Sequence, residues 1–182
     1  MSNLQSCLSL LKSCFPDEKL PNLRYEDHCN GFISNMIRTQ VGSLNLILKS
    51  SPTHPAFRQQ LKVRQLYLNE MYFYEKIVPR LGIKSCPKIY KVDKDNEILL
   101  MEDLSASGYG LMKRDSKYVS AVFKEFAKFH ARSLVVKQKD KDVWEEICSN
   151  VYKDLEGFNE ESELTGCILE QCEKVLPFVQ KS

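Results

Sequence analysis

The chain has 182 residues, of which 43% are hydrophobic and 27% are charged, and this composition excludes a disordered or fibrous protein. A net charge of +2 without a basic run gives no electrostatic argument for nucleic-acid binding. The seven cysteines have scattered spacings and no CxxC pair, which disfavours a disulfide framework or a zinc site. The N-terminus lacks a signal-peptide pattern, and no apolar run approaches the roughly 20 residues of a membrane span. We therefore expect a cytoplasmic protein of one domain or two small lobes.

The beginning of the chain predicts a short helix followed by strands. The opening run MSNLQSCLSLLKSCFP has the spacing of an amphipathic helix, and Leu23–Asp27 suits a short strand. Two apolar runs, Met36–Gln40 and Leu44–Lys49, are separated by a short turn that contains Gly42. Such a pair of runs predicts a β-hairpin.

The rest of the chain predicts one more hairpin between long helices. A helical pattern covers Ala56–Val78 and should stop at Pro79, because proline cannot continue a helix. The segment PKIYKVDKDNEILLM follows as two apolar runs around a polar turn. Lys117–Val136 again has helical spacing, and Asp142–Ser182 is mostly helical with a break near Gly157. The order strands, helix, strands and then only helices predicts an α+β fold with an antiparallel sheet.

Two charged residues occupy positions at which the pattern predicts burial. Glu70 lies in the apolar stripe of the first long helix, and Lys49 ends a strand that is almost entirely apolar. Each has an ordinary interpretation, in which the glutamate reaches water from the edge of the stripe and the lysine extends beyond the strand end. As a pair, however, each residue would offset the desolvation of the other. A strand lysine paired with a helix glutamate is the arrangement with which kinases hold nucleotide phosphates.

Two further segments suit this arrangement. The run NGFISN, from Asn30 to Asn35, precedes the first hairpin and holds a single glycine, so a plain turn and a phosphate-covering loop are both open interpretations. The run ILLMEDLSASGYG changes from an apolar strand to acidic and small residues at Glu102. In a kinase-like fold, the last strand of the small lobe ends at such a hinge, and Leu99–Met101 would then back the adenine pocket.

These segments resemble the ecdysteroid kinase-like family, also called CHK kinase-like, of the protein-kinase-like superfamily. Five stretches between roughly Leu23 and Leu134 carry the resemblance: GFISNMIR, LILKSSP, NEMYFYEKIVPRL, ILLMEDLSASGYGLMKRD and FAKFHARSL. The resemblance implies a protein-kinase-like small lobe, an antiparallel sheet with one long helix, over residues 1–102. It also implies a hinge and an incomplete, all-helical start of the large lobe over residues 103–182.

The resemblance implies ATP as the cofactor and a small-molecule hydroxyl as the acceptor, such as that of an ecdysteroid or similar alcohol. Lys49 would contact the phosphates and Glu70 would be its partner. The other implied nucleotide contacts lie in the glycine turn and the hinge: Gly31, Phe32, Ser34, Met101, Glu102 and Leu104. His130 belongs to the helix signature of the family, and we interpret it as a packing residue on the core side of its helix.

The family's catalytic and metal-binding segments are not found in this sequence. The resemblance leads us to expect an H-G-D-x-x-x-x-N loop and a later D-F-Q turn, which would supply the catalytic aspartate and the Mg²⁺ ligands. No histidine follows His130, and none of Asp140, Asp142 and Asp154 follows a glycine. We therefore assign no catalytic residue and no metal ligand, and we expect the polypeptide to be inactive alone. A shortened isoform, a truncated gene product and a degenerate paralogue all fit this pattern.

Two functions remain open at the level of sequence. The chain is either the ATP-binding part of a small-molecule kinase or a non-catalytic fragment that binds nucleotide or a partner. An unrelated α+β interaction domain is a third interpretation, which five ordered matches disfavour. The apolar stripe of Lys117–Val136 has only residues 142–182 to cover it, which predicts an exposed apolar patch and some self-association. No nucleic-acid partner and no membrane span are expected.

Overall fold

The computed structural model describes residues 3–20, 23, 34–52, 58, 62–110 and 118–152. Its centre is a four-stranded antiparallel sheet in the order β1-β2-β4-β3. The strands are β1 (Asn35–Val41), β2 (Leu44–Ser50), β3 (Ile89–Asp93) and β4 (Ile98–Glu102). Both predicted hairpins are present, and the α+β fold with an antiparallel sheet is confirmed.

Two of the described helices pack on the two faces of the sheet, and two follow it in the chain. They are α1 (Asn3–Cys14), α2 (Val63–Tyr72), α3 (Val119–Lys139) and α4 (Lys141–Asn150). A π-helical turn, Phe73–Ile77, and a last helical turn, Val78–Arg80, continue α2 without a break. None of the described helices combines the length and apolar composition that crossing a membrane requires.

The sheet buries apolar side chains on both faces. Because side chains alternate along a strand, Leu46 and Leu48 of β2 point towards α1, whereas Ile47 and Lys49 point towards α2. The α1 side also contains Leu100 of β4. A strand buried on both faces is a near-continuous apolar run, and this is why the β2 sequence does not alternate between apolar and polar residues.

The long helix predicted over Ala56–Val78 is interrupted in the structure. Arg58 is helical, but Lys62 has φ −69° and ψ 61°, which is not helical, and α2 begins at Val63, whose side chain is buried against the sheet. At the other end the helix continues past Pro79. The Val78 N–H donates to the Phe73 carbonyl, five residues earlier. Only one more helical residue, Arg80, follows Pro79, so the helix ends one residue beyond the predicted stop.

The helices α3 and α4, with Tyr152 directly after them, contact α2 and its continuation through both polar and aromatic groups, and the rings of Phe73 and Phe129 lie 6.1 Å apart. The side-chain amide of Asn69 exchanges two hydrogen bonds with the backbone of Tyr152, at 2.9 and 2.8 Å. Arg80 forms an ion pair with Glu146 at 2.6 Å. Within the described helices α3 and α4 no residue is buried. The predicted exposed apolar face is present, and Phe123 and Phe126 are 68% and 57% exposed.

Some sequence predictions lie outside the described residues. The predicted strand Leu23–Asp27 does so apart from Leu23, which packs against the α1 side of the sheet. The predicted helical region beyond Tyr152, with its break near Gly157, also lies outside.

Candidate functional site

Lys49 and Glu70 form a close ion pair between the sheet and α2. The Lys49 Nζ atom lies 2.6 Å from Oε1 and 2.8 Å from Oε2 of Glu70. The two side chains are 22% and 27% exposed. The carboxylate therefore holds the ammonium group with both oxygens, as paired burial requires. Both side chains remain partly exposed to solvent.

Apolar groups surround the stem of Lys49. Its neighbours across the sheet are Met36 of β1 and Leu99 of β4. The ring of Tyr67, one helical turn before Glu70, has its centroid 5.8 Å from Lys49 Nζ, within the range of a cation–π contact. These groups restrict the directions that the lysine side chain can take.

Tyr67 itself is buried and makes two hydrogen bonds near the ion pair. Its hydroxyl donates to the Ser50 carbonyl oxygen at 2.9 Å. Burial raises the pKa of Tyr67 to about 12, a hydrogen bond with the Ser34 side chain opposes this effect, and the charges of Glu70 and Glu97 add to it. Ser34 thus lies close to the ion pair. Sequence analysis did not single out Tyr67, because an apolar-stripe tyrosine is indistinguishable from other core residues.

The predicted hinge residues serve different local roles. Met101 is buried on the α2 side of the sheet, on the same face as Lys49. The Glu102 carboxylate accepts a hydrogen bond from the Lys88 N–H at 3.1 Å, and the Glu102 N–H donates to the Lys88 carbonyl at 2.8 Å. These two hydrogen bonds therefore hold the end of β4 against Lys88, the residue just before β3. Leu104 begins a 3₁₀ turn, and its carbonyl accepts from the Tyr109 N–H.

Asp103 is a buried carboxylate that organises the hinge. It accepts hydrogen bonds from the Ser105 N–H at 2.9 Å and from the Ser105 hydroxyl at 2.6 Å. Arg38 of β1 forms an ion pair with it at 3.1 Å. Asp103 thereby caps the 3₁₀ turn Leu104–Ser107, which ends at Gly108 with φ +85°, a conformation that favours glycine. The D-x-S spacing is a capping signal, but the pairing with Arg38 has no local sequence signal.

A second buried carboxylate, Glu97, lies at the opposite end of β4. It accepts two hydrogen bonds from Arg58, at 2.9 and 3.0 Å, and one from Arg64 at 3.2 Å. Burial disfavours its charged form, but the hydrogen bonds from Arg58, Ser51 and Arg64 outweigh this effect and lower the pKa of Glu97. Sequence analysis missed this cluster, because Arg58 and Glu97 are far apart along the chain.

Part of the predicted site lies outside the described residues. Gly31 and Phe32, of the predicted phosphate-covering turn, are not among the described residues. Ser34 is described, directly before β1. The structure thus brings Ser34, Lys49 and Glu70 together, with Met101 on the same face of the sheet.

The comparison with known families gives a clear result. The model of the ecdysteroid kinase-like family matches residues 28–182. The chain belongs to the ecdysteroid kinase-like family. The match extends beyond the five stretches that carried the resemblance, and it confirms the kinase-like small lobe as the architecture of the sheet and α2. No curated protein gives a significant match to the sequence.

His130, in the signature helix of this ecdysteroid kinase-like chain, does not lie on a buried core side. It is exposed on α3, and its ring makes an edge contact with Phe129 at 5.5 Å. The interpretation as a residue packed in a core is therefore wrong, because no side chain of α3 is buried within the described helices. His130 instead lines an apolar cavity of about 360 Å³ that also contacts Leu81 and Trp144. This cavity contains neither Lys49 nor Glu70.

Membership of a kinase-like family indicates phosphotransferase chemistry, with ATP and Mg²⁺ as the general cofactors. Within the described part of the chain, no group of three potential metal ligands is found together. The Lys49 ammonium group, oriented by Glu70, can bind phosphate oxygens by charge, whereas the ligands of a metal ion are not identified among these residues.

Proposed function

We propose that this chain is the ATP-binding part of a phosphotransferase that acts on a small-molecule hydroxyl. The observation that carries the proposal is the ion pair between Lys49 Nζ and both oxygens of Glu70, at 2.6 and 2.8 Å. A lysine held this way has a fixed position and a partly exposed charge, which is what binding of the α- and β-phosphates requires. An ecdysteroid or a similar lipid-like alcohol is the proposed acceptor, on the grounds of family alone.

The adenine base would lie against Met101 and the backbone of the hinge. The N–H groups of Glu102 and Asp103 are bonded to the carbonyls of Lys88 and Asn45. The Leu104 N–H has no partner within the described part of the chain, and we propose that it donates to the adenine edge. Gly31, Phe32 and Ser34 remain the proposed phosphate-covering turn. On this basis residues 1–102 form the nucleotide lobe and residues 103–182 the hinge and the beginning of the helical lobe.

Binding is tested by the thermal shift of the protein on titration with ATP, with and without Mg²⁺. We expect a saturable rise in melting temperature for the wild type, because a ligand that binds only the folded state stabilises it. Lys49→Ala should abolish this rise. Lys94→Ala is the matched control, because Lys94 also pairs with a helix glutamate, Glu75, at 2.9 Å but is exposed at the surface. Equal shifts for all three proteins would contradict the proposal.

We further propose that the 182 residues alone bind nucleotide without transferring phosphate. No H-G-D sequence occurs in the chain, and without a positioned base and metal ligands the rate falls by orders of magnitude. The test is a phosphate-release and transfer assay with MgATP and sterol-like alcohols. We expect no turnover above background for the wild type, and turnover that disappears in Lys49→Ala would contradict this part of the proposal.

A second candidate is a non-catalytic interaction fragment, which the exposed face of α3 supports. Phe123 and Phe126 lie one turn apart on this helix, and both are largely exposed. Contiguous exposed apolar side chains of this kind favour self-association. Size-exclusion chromatography should then give a concentration-dependent size, which Phe126→Glu reduces; a monomer at all concentrations would contradict this candidate.

The cysteines support a proposed cytoplasmic location. The thiols of Cys7, Cys14, Cys86 and Cys148 are free, as expected in a reducing compartment. Fractionation of cells that produce the tagged chain tests this location, and recovery in the secreted fraction would contradict it.

A further inference from the structure

The Tyr67 hydroxyl connects three segments around the Lys49–Glu70 pair. It donates to the carbonyl of Ser50, the residue that follows Lys49 in β2. It also makes a hydrogen bond with the Ser34 side chain. The single hydroxyl proton of Tyr67 goes to Ser50, so Ser34 donates to Tyr67. One hydroxyl thus joins α2, the end of β2 and the residue directly before β1.

The ring of Tyr67 adds a third contact. Tyr67 precedes Glu70 by three residues, so both side chains lie on the same face of α2. The ring centroid lies 5.8 Å from Lys49 Nζ, and Tyr67 is only 3% exposed. The ammonium group is held by the Glu70 carboxylate and faces the Tyr67 ring, so both of its neighbours come from a single turn of one helix.

We propose that Tyr67 is a positioning residue for nucleotide phosphates, which fixes Lys49 relative to Ser34, the residue directly before β1. The inference rests on the proposed function, because it requires the phosphates to lie between Ser34 and Lys49. Tyr67 touches no phosphate itself. Its hydroxyl sets the spacing of the two residues that do, so its removal should affect the recognition of phosphates and not that of the adenine base.

The test compares two tyrosines of the same helix. Tyr67→Phe keeps the ring and removes the hydroxyl. Tyr72→Phe is the matched control, because Tyr72 is 8% exposed and its buried hydroxyl has no hydrogen-bond partner within the described part of the chain. We expect Tyr67→Phe to weaken ATP binding by about three- to tenfold, the effect of one lost hydrogen bond, and to leave adenosine binding unchanged. Tyr72→Phe should change neither affinity. Equal losses for ATP and adenosine, or no loss, would overturn the inference.

A second measurement is independent of nucleotide. The rate of reductive methylation of Lys49 in the free protein, followed by mass spectrometry with Lys94 as an internal reference, reports how firmly the amine is held. We expect Tyr67→Phe to raise the Lys49 rate about threefold and Tyr72→Phe to leave it unchanged. If Tyr67→Phe does not fold, Ser34→Ala removes the donor on the other side of the same hydrogen bond and should give the same rise in the Lys49 methylation rate of the free protein.

The two measurements separate the inference from the proposed function. A wild type that does not bind ATP, combined with a raised Lys49 rate in Tyr67→Phe, would refute the nucleotide site and leave Tyr67 as the residue that orients Lys49. A wild type that binds ATP, combined with unchanged affinity and rate in Tyr67→Phe, would refute the positioning role alone.

Discussion

The sheet with α1 and α2 buries its apolar side chains, whereas the α3–α4 hairpin leaves many of them exposed. Leu48, Leu99 and Leu100 are fully buried, and Phe123 and Phe126 are mostly exposed. The sheet has a helix on each face, so alternate side chains of every inner strand meet an apolar partner. The described residues of α3 meet the rest of the chain through a few contacts, such as the Arg132 hydrogen bond to the Gly82 carbonyl and the Phe129 ring contact with Phe73, and none of them is buried. Burial therefore fixes the first region, and that region holds the buried carboxylates of Glu97 and Asp103.

This difference explains where the candidate site lies. Lys49 and Glu70 come from two elements that share one buried core, formed with Tyr67 and Met101. A rigid apolar surrounding limits the rotamers of a long side chain and keeps its charge in place. The α3 helix carries a family signature at His130, but no comparable surrounding holds that side chain. The nucleotide contacts and the signature helix should therefore respond differently to mutation.

The largest effect is expected from truncation in the sheet core. Leu100→Ala should lower the free energy of unfolding by about 3 kcal/mol, because it leaves a cavity between the sheet and α1. Phe126→Ala on α3 removes a larger but exposed side chain and should change the free energy by about 0.5 kcal/mol or less. Urea denaturation of both variants measures the difference. Comparable losses would show that the two regions are equally buried and would remove the contrast.

A smaller effect is expected from Glu97, the buried carboxylate at the far end of β4. Glu97→Gln should destabilise the protein by about 2 kcal/mol, because it leaves Arg58 and Arg64 without their anion. The loss is no larger because solvent screens the charges of these partly exposed arginines. Glu125→Gln on α3, which breaks an exposed pair with Lys128, should have little effect in the same denaturation experiment. A Glu97→Gln variant as stable as wild type would indicate that the cluster contributes no net stability.

The same cluster predicts part of the pH dependence. The pKa of Glu97 is lowered by folding from its ordinary value of 4.5. Its contribution is therefore complete above about pH 4.5 and is lost as the pH falls through the lower folded value. Denaturation of wild type and Glu97→Gln between pH 3 and 7 should show converging stabilities at the acid end. A constant difference across this range would contradict the assignment.

The smallest effect is expected at the hinge. Arg38→Gln removes the cation that pairs with Asp103, and because Arg38 is half exposed the loss should be about 0.5 kcal/mol. Asp103→Ala should cost more, about 1 to 2 kcal/mol, because it also removes the cap of the 3₁₀ turn. Thermal unfolding of the two variants gives their order. A larger effect of Arg38→Gln would mean that the ion pair, and not the cap, holds the hinge.

The sequence predicted the fold because its patterns are local. Apolar runs around Gly42 and around the polar turn after Asp93 identify the hairpins, and helical spacing identifies α3. The Lys49–Glu70 contact was also predictable, because a charge within an apolar pattern requires a partner. The π-helical turn Phe73–Ile77 was not predictable, because its wide hydrogen bond has no residue signature.

The remaining parts of the site depend on contacts between distant segments. Arg38 reaches Asp103, and Arg58 reaches Glu97, only because the sheet brings the ends of β1, β2 and β4 together. No periodicity along the chain carries this information. The role of Tyr67 was hidden for a related reason, since its hydroxyl acts on β2 and on Ser34 while its ring follows the ordinary apolar stripe of α2.

The most direct test of the account is a double-mutant cycle on ATP binding with Lys49→Met, Glu70→Gln and the double variant, measured by calorimetric titration. If the two residues bind phosphate as one unit, each single variant should weaken ATP binding by about tenfold or more, and the double variant should be no weaker than the worse single variant. Affinities equal to that of wild type, or losses that simply add, would contradict the claim that this ion pair holds the nucleotide.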